Sequence, residues 1–343
     1  MAFQSPPSRP DRSRRATLKS LTLLVPIVGV AACGGGSSDA SAQGPSPSPG
    51  PGPSPTPPPP GPPSSGTVDV YAHFNSLHNH AAGQANASTN VGNWIARLVA
   101  QAPAGSKTYT LGAEFGFFNQ WSLPPRSRVQ HAEASSPHVD PFSSSWNRAQ
   151  NVDVVEFVPD NFDGYGFDPA ANTNMGASYQ TVLLSLIDQW QANAPNPSRR
   201  YAVYAGWPQL NGYGAGSVGA LSAPQIANWI AFGLGAYQTW MELLVSRLRA
   251  ARPGLDIRLH NVSRSVLIAY RDSVVRTIPA TTLFEDLAPH GRSSWYFLAA
   301  VADYIALYGE KPPANFNFNA AWGVSPVITA NYQAIVDVIW SAR

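Results

Sequence analysis

Five short runs rich in β-branched and aromatic residues recur along the chain: Val68 to Ala72, Lys107 to Leu111, Val152 to Val158, Tyr201 to Ala205 and Asp256 to His260. Stretches with helical spacing separate them. Parallel strands need a long crossover to return to the same edge, usually through a helix, so β and α runs taken in turn imply a parallel sheet covered on both faces. The helical stretches run from Asn90 to Ala102, Tyr179 to Ala194, Ala223 to Ala251, Ser265 to Ile278, Ser294 to Tyr308 and Ile328 to Trp340. Ser222 and Gln225 are spaced as a capping box ahead of the longest. The expected fold is α/β: three α/β/α layers around a mainly parallel sheet of about five strands.

This pattern occupies residues 67–343, and two other segments precede it. Residues 1–33 have the plan of a signal peptide: basic residues, an apolar run from Leu21 to Ala32 too short to span a bilayer, then small residues before a cysteine. Arg14-Arg15 resembles a twin-arginine export signal, with Thr17 in place of the usual large apolar residue. Val30-Ala31-Ala32-Cys33 resembles a lipobox, which implies lipidation of Cys33 and an exported protein anchored to the cell envelope, on its periplasmic face or the cell surface. Residues 34–66 are mostly Gly, Ser and Pro, including Pro57-Pro58-Pro59-Pro60, too poor in apolar surface to offset the entropy of ordering. At about 3.1 Å per residue in polyproline II, such a tether reaches on the order of 60 to 100 Å from the lipid, which suits a large or fixed substrate.

Charge and cysteine use narrow the chemistry. Arg9, Arg12, Arg14, Arg15 and Lys19, less Asp11, give the leader +4 of the whole-chain +2, leaving −2 for the rest. A slightly acidic, charge-poor domain has no electrostatic footprint for nucleic acid. Cys33 is the only cysteine, so a folded domain beyond it has no thiolate nucleophile, disulfide or cysteine metal ligand. A Gly214-Ala215-Gly216-Ser217-Val218-Gly219 run matches the dinucleotide fingerprint in letters, but the preceding β run ends near Ala205, so the run is a loop over the sheet edge and no cofactor is implied.

Parallel α/β sheets bind ligands beyond the carboxyl ends of their strands. Three polar segments qualify: Phe74-Asn75-Ser76-Leu77-His78-Asn79-His80, Pro159-Asp160-Asn161-Phe162-Asp163, and Glu285-Asp286-Leu287-Ala288-Pro289-His290-Gly291. Acyl transfer by serine needs a hydroxyl beside a neutral imidazole, an acid that orients the ring, and donors aimed at the oxyanion. Ser76, His290, a nearby carboxylate and Asn161 are candidates for these parts. A serine after a strand also serves as a helix N-cap, and a loop histidine as a backbone cap.

The order of these blocks resembles the SGNH or GDSL-like hydrolases, in which the serine follows strand one and the histidine lies near the C-terminus. Asn75-Ser76-Leu77 looks like the serine block, and the resemblance places Gly116 in the glycine block, Asn161 in the asparagine block and His290 in the histidine block. Ala288-Pro289-His290-Gly291, with Tyr296-Phe297-Leu298-Ala299-Ala300 and Tyr308-Gly309 beyond it, is similar to the end of an uncharacterised bacterial lipoprotein branch of that superfamily. The family pattern implies an SGNH-type fold, a Ser76 nucleophile, a His290 base and an oxyanion pocket from Gly116 and Asn161, with Gly112 an alternative glycine. Two positions depart from it. Phe74 stands where a glycine usually opens the serine block, and Leu287 stands where the orienting acid usually lies, three residues before the histidine. Asp286 reaches the imidazole only if the loop turns there; Glu285 and an unassisted Ser-His dyad stay open.

The implied activity is a carboxylic ester hydrolase, with an acylated polysaccharide or small ester as partner and the carbohydrate O-acetyl group as first choice. Two other classes compete. A metal site on His73, His78 and His80, with Asp160 or Asp163, has suitable ligand types but poor spacing, and there is no HExxH motif. A non-catalytic glycan or cell-envelope binding lipoprotein would use aromatic faces: Trp94, Trp190, Trp229, Trp240 and Trp295 fall in helical runs and belong to the core, leaving Trp121, Trp146 and Trp207 as pocket candidates.

Overall fold

A computed structural model describes residues 66–80, 90–103, 105–116, 139–159, 168–170 and 177–343. Arg14, Arg15, Cys33, the tether up to Ser65, Trp121, Asp160, Asn161 and Asp163 lie outside the described residues. Five strands form one sheet: β1 (Thr67–Phe74), β2 (Thr108–Phe115), β3 (Val154–Phe157), β4 (Arg200–Tyr204) and β5 (Asp256–His260). Their order is β2-β1-β3-β4-β5 and every pairing is parallel, with Val70 opposite both Leu111 and Val154, and Arg200 opposite both Val154 and Asp256. The order reverses direction between β1 and β3, the place where a doubly wound sheet opens a crevice at its carboxyl edge.

Nine α-helices cover the two faces among the described residues: α1 (Val91–Ala100), α2 (Tyr179–Asn193), α3 (Ala223–Phe232), α4 (Gln238–Ala251), α5 (Val262–Asp272), α6 (Ala280–Leu283), α7 (Ser293–Tyr308), α8 (Pro326–Ala330) and α9 (Tyr332–Ser341). Because side chains alternate across a strand, the three inner strands β1, β3 and β4 feed both cores. Val68, Val70, Ala72 and Phe74 of β1 meet α1, α5, α7 and α9 on one face. Tyr71, Val155, Phe157, Tyr201 and Val203 meet Trp190 of α2 and Trp240, Met241 and Leu244 of α4 on the other. The three-layer α/β/α architecture expected from the alternation is thus present, with a sheet that is parallel throughout.

Helix α7 is buried along nearly its whole length, from Ser294 to Tyr308 with only Ala306 partly exposed. An apolar helix without a polar face belongs in the interior, and here α1, α5 and α9 pack around it. It stops at Gly309, whose φ of 68° gives the left-handed cap that glycine adopts without penalty. Asp303 is the one ionisable carboxylate on this helix, and it is 0% exposed.

Several boundaries move from expectation for local reasons. Strand β2 runs on to Phe115, because Gly112 gives room to Trp146 and Glu114 faces a buried partner, His73. The helix expected from Ser265 to Ile278 begins at Val262 and ends at Asp272; the Ser273 hydroxyl accepts the Val275 amide and opens a separate 3-10 turn. The expected last helix is two, divided at Asn331. The longest stretch is α3 and α4 joined through a π-helical segment, Gly233–Tyr237, and the Ser222–Gln225 capping box is formed at its start.

Candidate active site

Directly after β1 the chain turns at residues 76–78, and Asn75 builds that turn. Its Oδ1 accepts the Leu77 amide at 3.0 Å, while its Nδ2 donates to the carbonyls of Val158 and Pro159 at 3.3 and 3.2 Å. One side chain therefore ties the end of β1 to the end of β3, across the point where strand order reverses. The Tyr296 hydroxyl on α7 donates to the Ser76 carbonyl at 2.6 Å, fixing the turn from below. Gly206, just past β4, leaves space for the Leu77 side chain; a Cβ there would lie 2.6 Å from it. Among the described residues Ser76 caps no helix, and Asn90 takes the N-cap of α1.

The histidine arrives on a tight loop. Phe284 and Gly291 form an antiparallel bridge, and the Glu285 amide donates to the His290 carbonyl at 2.8 Å. Inside this hairpin Asp286 Oδ1 accepts the amides of Ala288 and His290, both at 3.0 Å, which leaves Oδ2 facing the imidazole. The loop is moored by Trp207, whose Nε1 donates to the Pro289 carbonyl at 2.9 Å, and by the Leu210 amide on the Leu287 carbonyl at 2.8 Å.

The two segments meet. His290 Nε2 lies 2.9 Å from Ser76 Oγ, and His290 Nδ1 lies 2.6 Å from Asp286 Oδ2. Serine, histidine and aspartate form one continuous hydrogen-bonded chain. Burial pushes the Asp286 carboxyl up, but the His290 ring, two backbone amides and the imidazole charge pull harder and hold it at about 2. Asp286 is therefore ionised at neutral pH, the state that fixes the Nδ1–H tautomer and leaves Nε2 free to take a proton from the serine. The side chains are 15% exposed at His290 and 47% at Asp286, so solvent and small molecules reach this edge.

His80 and Glu285 are two further neighbours of the imidazole loop. The His80 ring stacks on His290, centroids 3.8 Å apart and planes within 2°, making a flat wall behind the imidazole. Its Nε2 lies 3.7 Å from Glu285 Oε2. The acid next to Asp286 is thus turned away from His290 and toward His80, and burial raises the pKa of Glu285. Adjacent residues in a hairpin point to opposite sides, which is why 285 and 286 have different partners.

Other expectations are corrected. The Gly116 amide donates to the Phe74 carbonyl at 2.9 Å, prolonging the β1–β2 ladder, so it is not available to an oxyanion. Gly112 lies inside β2 opposite Tyr71, beneath Trp146, and is no better placed. Among the described residues the Ser76 amide has no acceptor, whereas the Leu77 amide is taken by Asn75. Trp207 is fully buried and structural, not a pocket wall, and Trp146 packs edge-on against Tyr71. His73, His78 and His80 do not converge: His73 pairs with Glu114 under Trp190, His78 turns into the α7 face, and His80 joins His290.

Behind the serine turn lies a second cluster of ionisable groups. His260 Nδ1 is 3.0 Å from Glu156 Oε1 and 2.8 Å from Asp303 Oδ1, and His78 Nε2 is 3.6 Å from Glu156 Oε2. All four side chains are at most 2% exposed. Burial drives the His78 pKa down to about 4, so its ring is neutral. Burial and the Asp303 charge raise the Glu156 carboxyl, while for His260 burial is outweighed by hydrogen bonds to the two carboxylates and its pKa rises.

No known family profile matches the chain, and no curated protein matches it. Among solved structures it is similar to a DUF4886 family protein from Bacteroides uniformis ATCC 8492, at 12% identity and a TM-score of 0.46, over 80% of this chain and 94% of the other. Among the described residues no helix is long and apolar enough to cross a membrane.

Proposed function

We propose that this protein is a serine ester hydrolase that uses Ser76 as nucleophile, His290 as general base and acid, and Asp286 as the acid that orients the imidazole. The observation that carries this reading is the unbroken Asp286–His290–Ser76 hydrogen-bond chain at the carboxyl edge of the sheet. Ser76 Oγ attacks the ester carbonyl as its proton passes to His290 Nε2. The tetrahedral oxyanion is held by the Ser76 amide, with a second donor expected from the residue 160–163 segment, where the Asn161 amide is the candidate. His290 returns the proton to the leaving alcohol. Water, deprotonated by the same ring, then attacks the acyl-serine, releasing the acid and restoring the hydroxyl.

For substrate, we favour O-acyl groups on a polysaccharide, the carbohydrate O-acetyl ester first among them. Support comes from the lipidated Cys33 and long tether implied by the sequence, which would hold a catalyst near a large envelope or environmental polymer. A purely glycan-binding role has less support, because Trp94, Trp190, Trp207, Trp229 and Trp295 are fully buried. The experiment is hydrolysis of short-chain nitrophenyl esters by the full chain, alongside labelling by a fluorophosphonate probe. Turnover and labelling that both vanish in Ser76→Ala are the expected result. A folded wild-type protein that neither turns over any ester nor takes the label would remove the hydrolase reading.

A further inference from the structure

The cluster behind the serine turn contains polar atoms that the protein does not satisfy. His260 Nδ1 bridges one oxygen each of Glu156 and Asp303. Asp303 Oδ2 and both ring nitrogens of His78 are buried without any hydrogen-bond partner. His78 is 1% exposed, wedged between the Phe74 ring, stacked at 5.4 Å, and the Tyr204 ring, edge-on at 5.4 Å. A neutral imidazole aimed at a carboxylate, and a carboxylate oxygen aimed at nothing, are both costly in an apolar interior unless something joins them.

One ligand atom from each of His78, Glu156 and Asp303 lies within 4.8 Å of the other two. A cation about 2.0–2.2 Å from nitrogen and oxygen ligands in tetrahedral array sets those ligands roughly 3.3–3.6 Å apart. His78 Nε2 and Glu156 Oε2 are already at 3.6 Å, and an Asp303 oxygen lies within 4.8 Å of a ligand atom of each. We propose that His78, Glu156 and Asp303, with His260 holding the two carboxylates together, bind one divalent cation of the zinc class.

The donor set selects the ion. Imidazole with carboxylate suits zinc, whereas magnesium and calcium favour all-oxygen sites. Charge also balances. Two ionised carboxylates and two neutral imidazoles around a dication are neutral as a whole, and any protons held by Glu156 and His260 leave to solvent on binding. The ligands come from the serine turn, the middle of β3 and the centre of α7, with His260 at the end of β5. The ion would pin the nucleophile turn to the sheet and the buried helix. It sits inside the core and is not a reactant at Ser76.

The test is elemental analysis of the full chain purified without chelator, with thermal unfolding before and after stripping. About one zinc per chain is expected, with three protein ligands and a fourth position left open. Stripping should lower Tm by roughly 5 °C, and added Zn2+ should restore it. Asp303→Asn and His78→Gln should each cut metal content at least about tenfold. Should both variants fail to fold, stripping and refilling the wild-type chain decides. Ser76→Ala should keep its metal in full, so loss of the hydrolase reading and loss of the metal reading are separate results. The site is overturned by a folded wild-type chain with almost no bound metal whose Tm does not respond to Zn2+ or Mn2+, or by a folded Asp303→Asn that retains the ion.

Discussion

Ser76 and His78 are two residues apart and enter two clusters built from the same chemistry. Toward the sheet edge, Ser76 joins a histidine and an aspartate that remain in partial contact with solvent. Into the α7 core, His78 joins a histidine, a glutamate and an aspartate that have almost none. The difference in burial reverses the electrostatics. Asp286 is held low, about 2, and stays ionised, whereas burial and a neighbouring carboxylate push Glu156 up. An accessible pair of this kind can move protons for a substrate; a sealed one is left with polar atoms that call for a bound partner or destabilise the fold.

The sharpest way to break this contrast is Ser76→Ala, which should lower ester turnover by roughly four to six orders of magnitude with Tm nearly unchanged. A variant that retained activity would take the chemistry elsewhere. Asp286→Asn should cost roughly three to four orders of magnitude in kcat, because the amide stabilises the wrong tautomer. Glu285→Gln should cost far less, since Glu285 faces His80. Equal losses in the two would void the assignment of the orienting acid.

On the buried side the expected effect is on stability. Asp303→Ala leaves His260 without one of its two carboxylates, and breaking such a buried pair costs about 3–5 kcal/mol. For a domain of this size that is a fall in Tm of roughly 10 °C, readable by calorimetry. His80→Ala should be milder: it removes the ring stacked on His290, with a loss of about tenfold or less in kcat/KM as the imidazole gains freedom. The smallest effect is on acid stability. The Asp286 pKa falls from 3.8 to about 2 on folding, so its contribution is complete above about pH 4 and disappears as pH drops through about 2. Wild type and Asp286→Asn should therefore converge in stability over that window, and only there, by a modest amount because the carboxylate is half exposed.

Much of the layered fold was legible because periodicity is a local property. Runs with period two became strands, and runs near 3.6 became helices, with β5 starting and ending at the expected residues. The serine after β1 and the late histidine were legible from chain order, since a parallel sheet gathers the loops beyond its strands' carboxyl ends on one edge. Failures came where a residue's fate depends on a distant partner. The strand expected to end at Leu111 runs on to Phe115, and Glu114 in that extension meets His73 across the β1–β2 pair. Trp207 looked like a pocket wall until Pro289 took its indole N–H.

Sequence by itself therefore determined the order of elements, the candidate residues for the proposed acyl chemistry, and the lack of any thiol beyond Cys33, because composition and spacing are written along the chain. Tertiary structure alone decided which acid serves His290, since the hairpin between Phe284 and Gly291 spans four residues from Asp286 to His290 where three were expected. It also committed the Gly116 amide to the β1–β2 ladder, away from the oxyanion role expected of it. And it gathered His78, Glu156, His260 and Asp303 from four separate segments into one buried cluster. Hydrogen bonds and burial act through space, and no spacing rule along the chain encodes them.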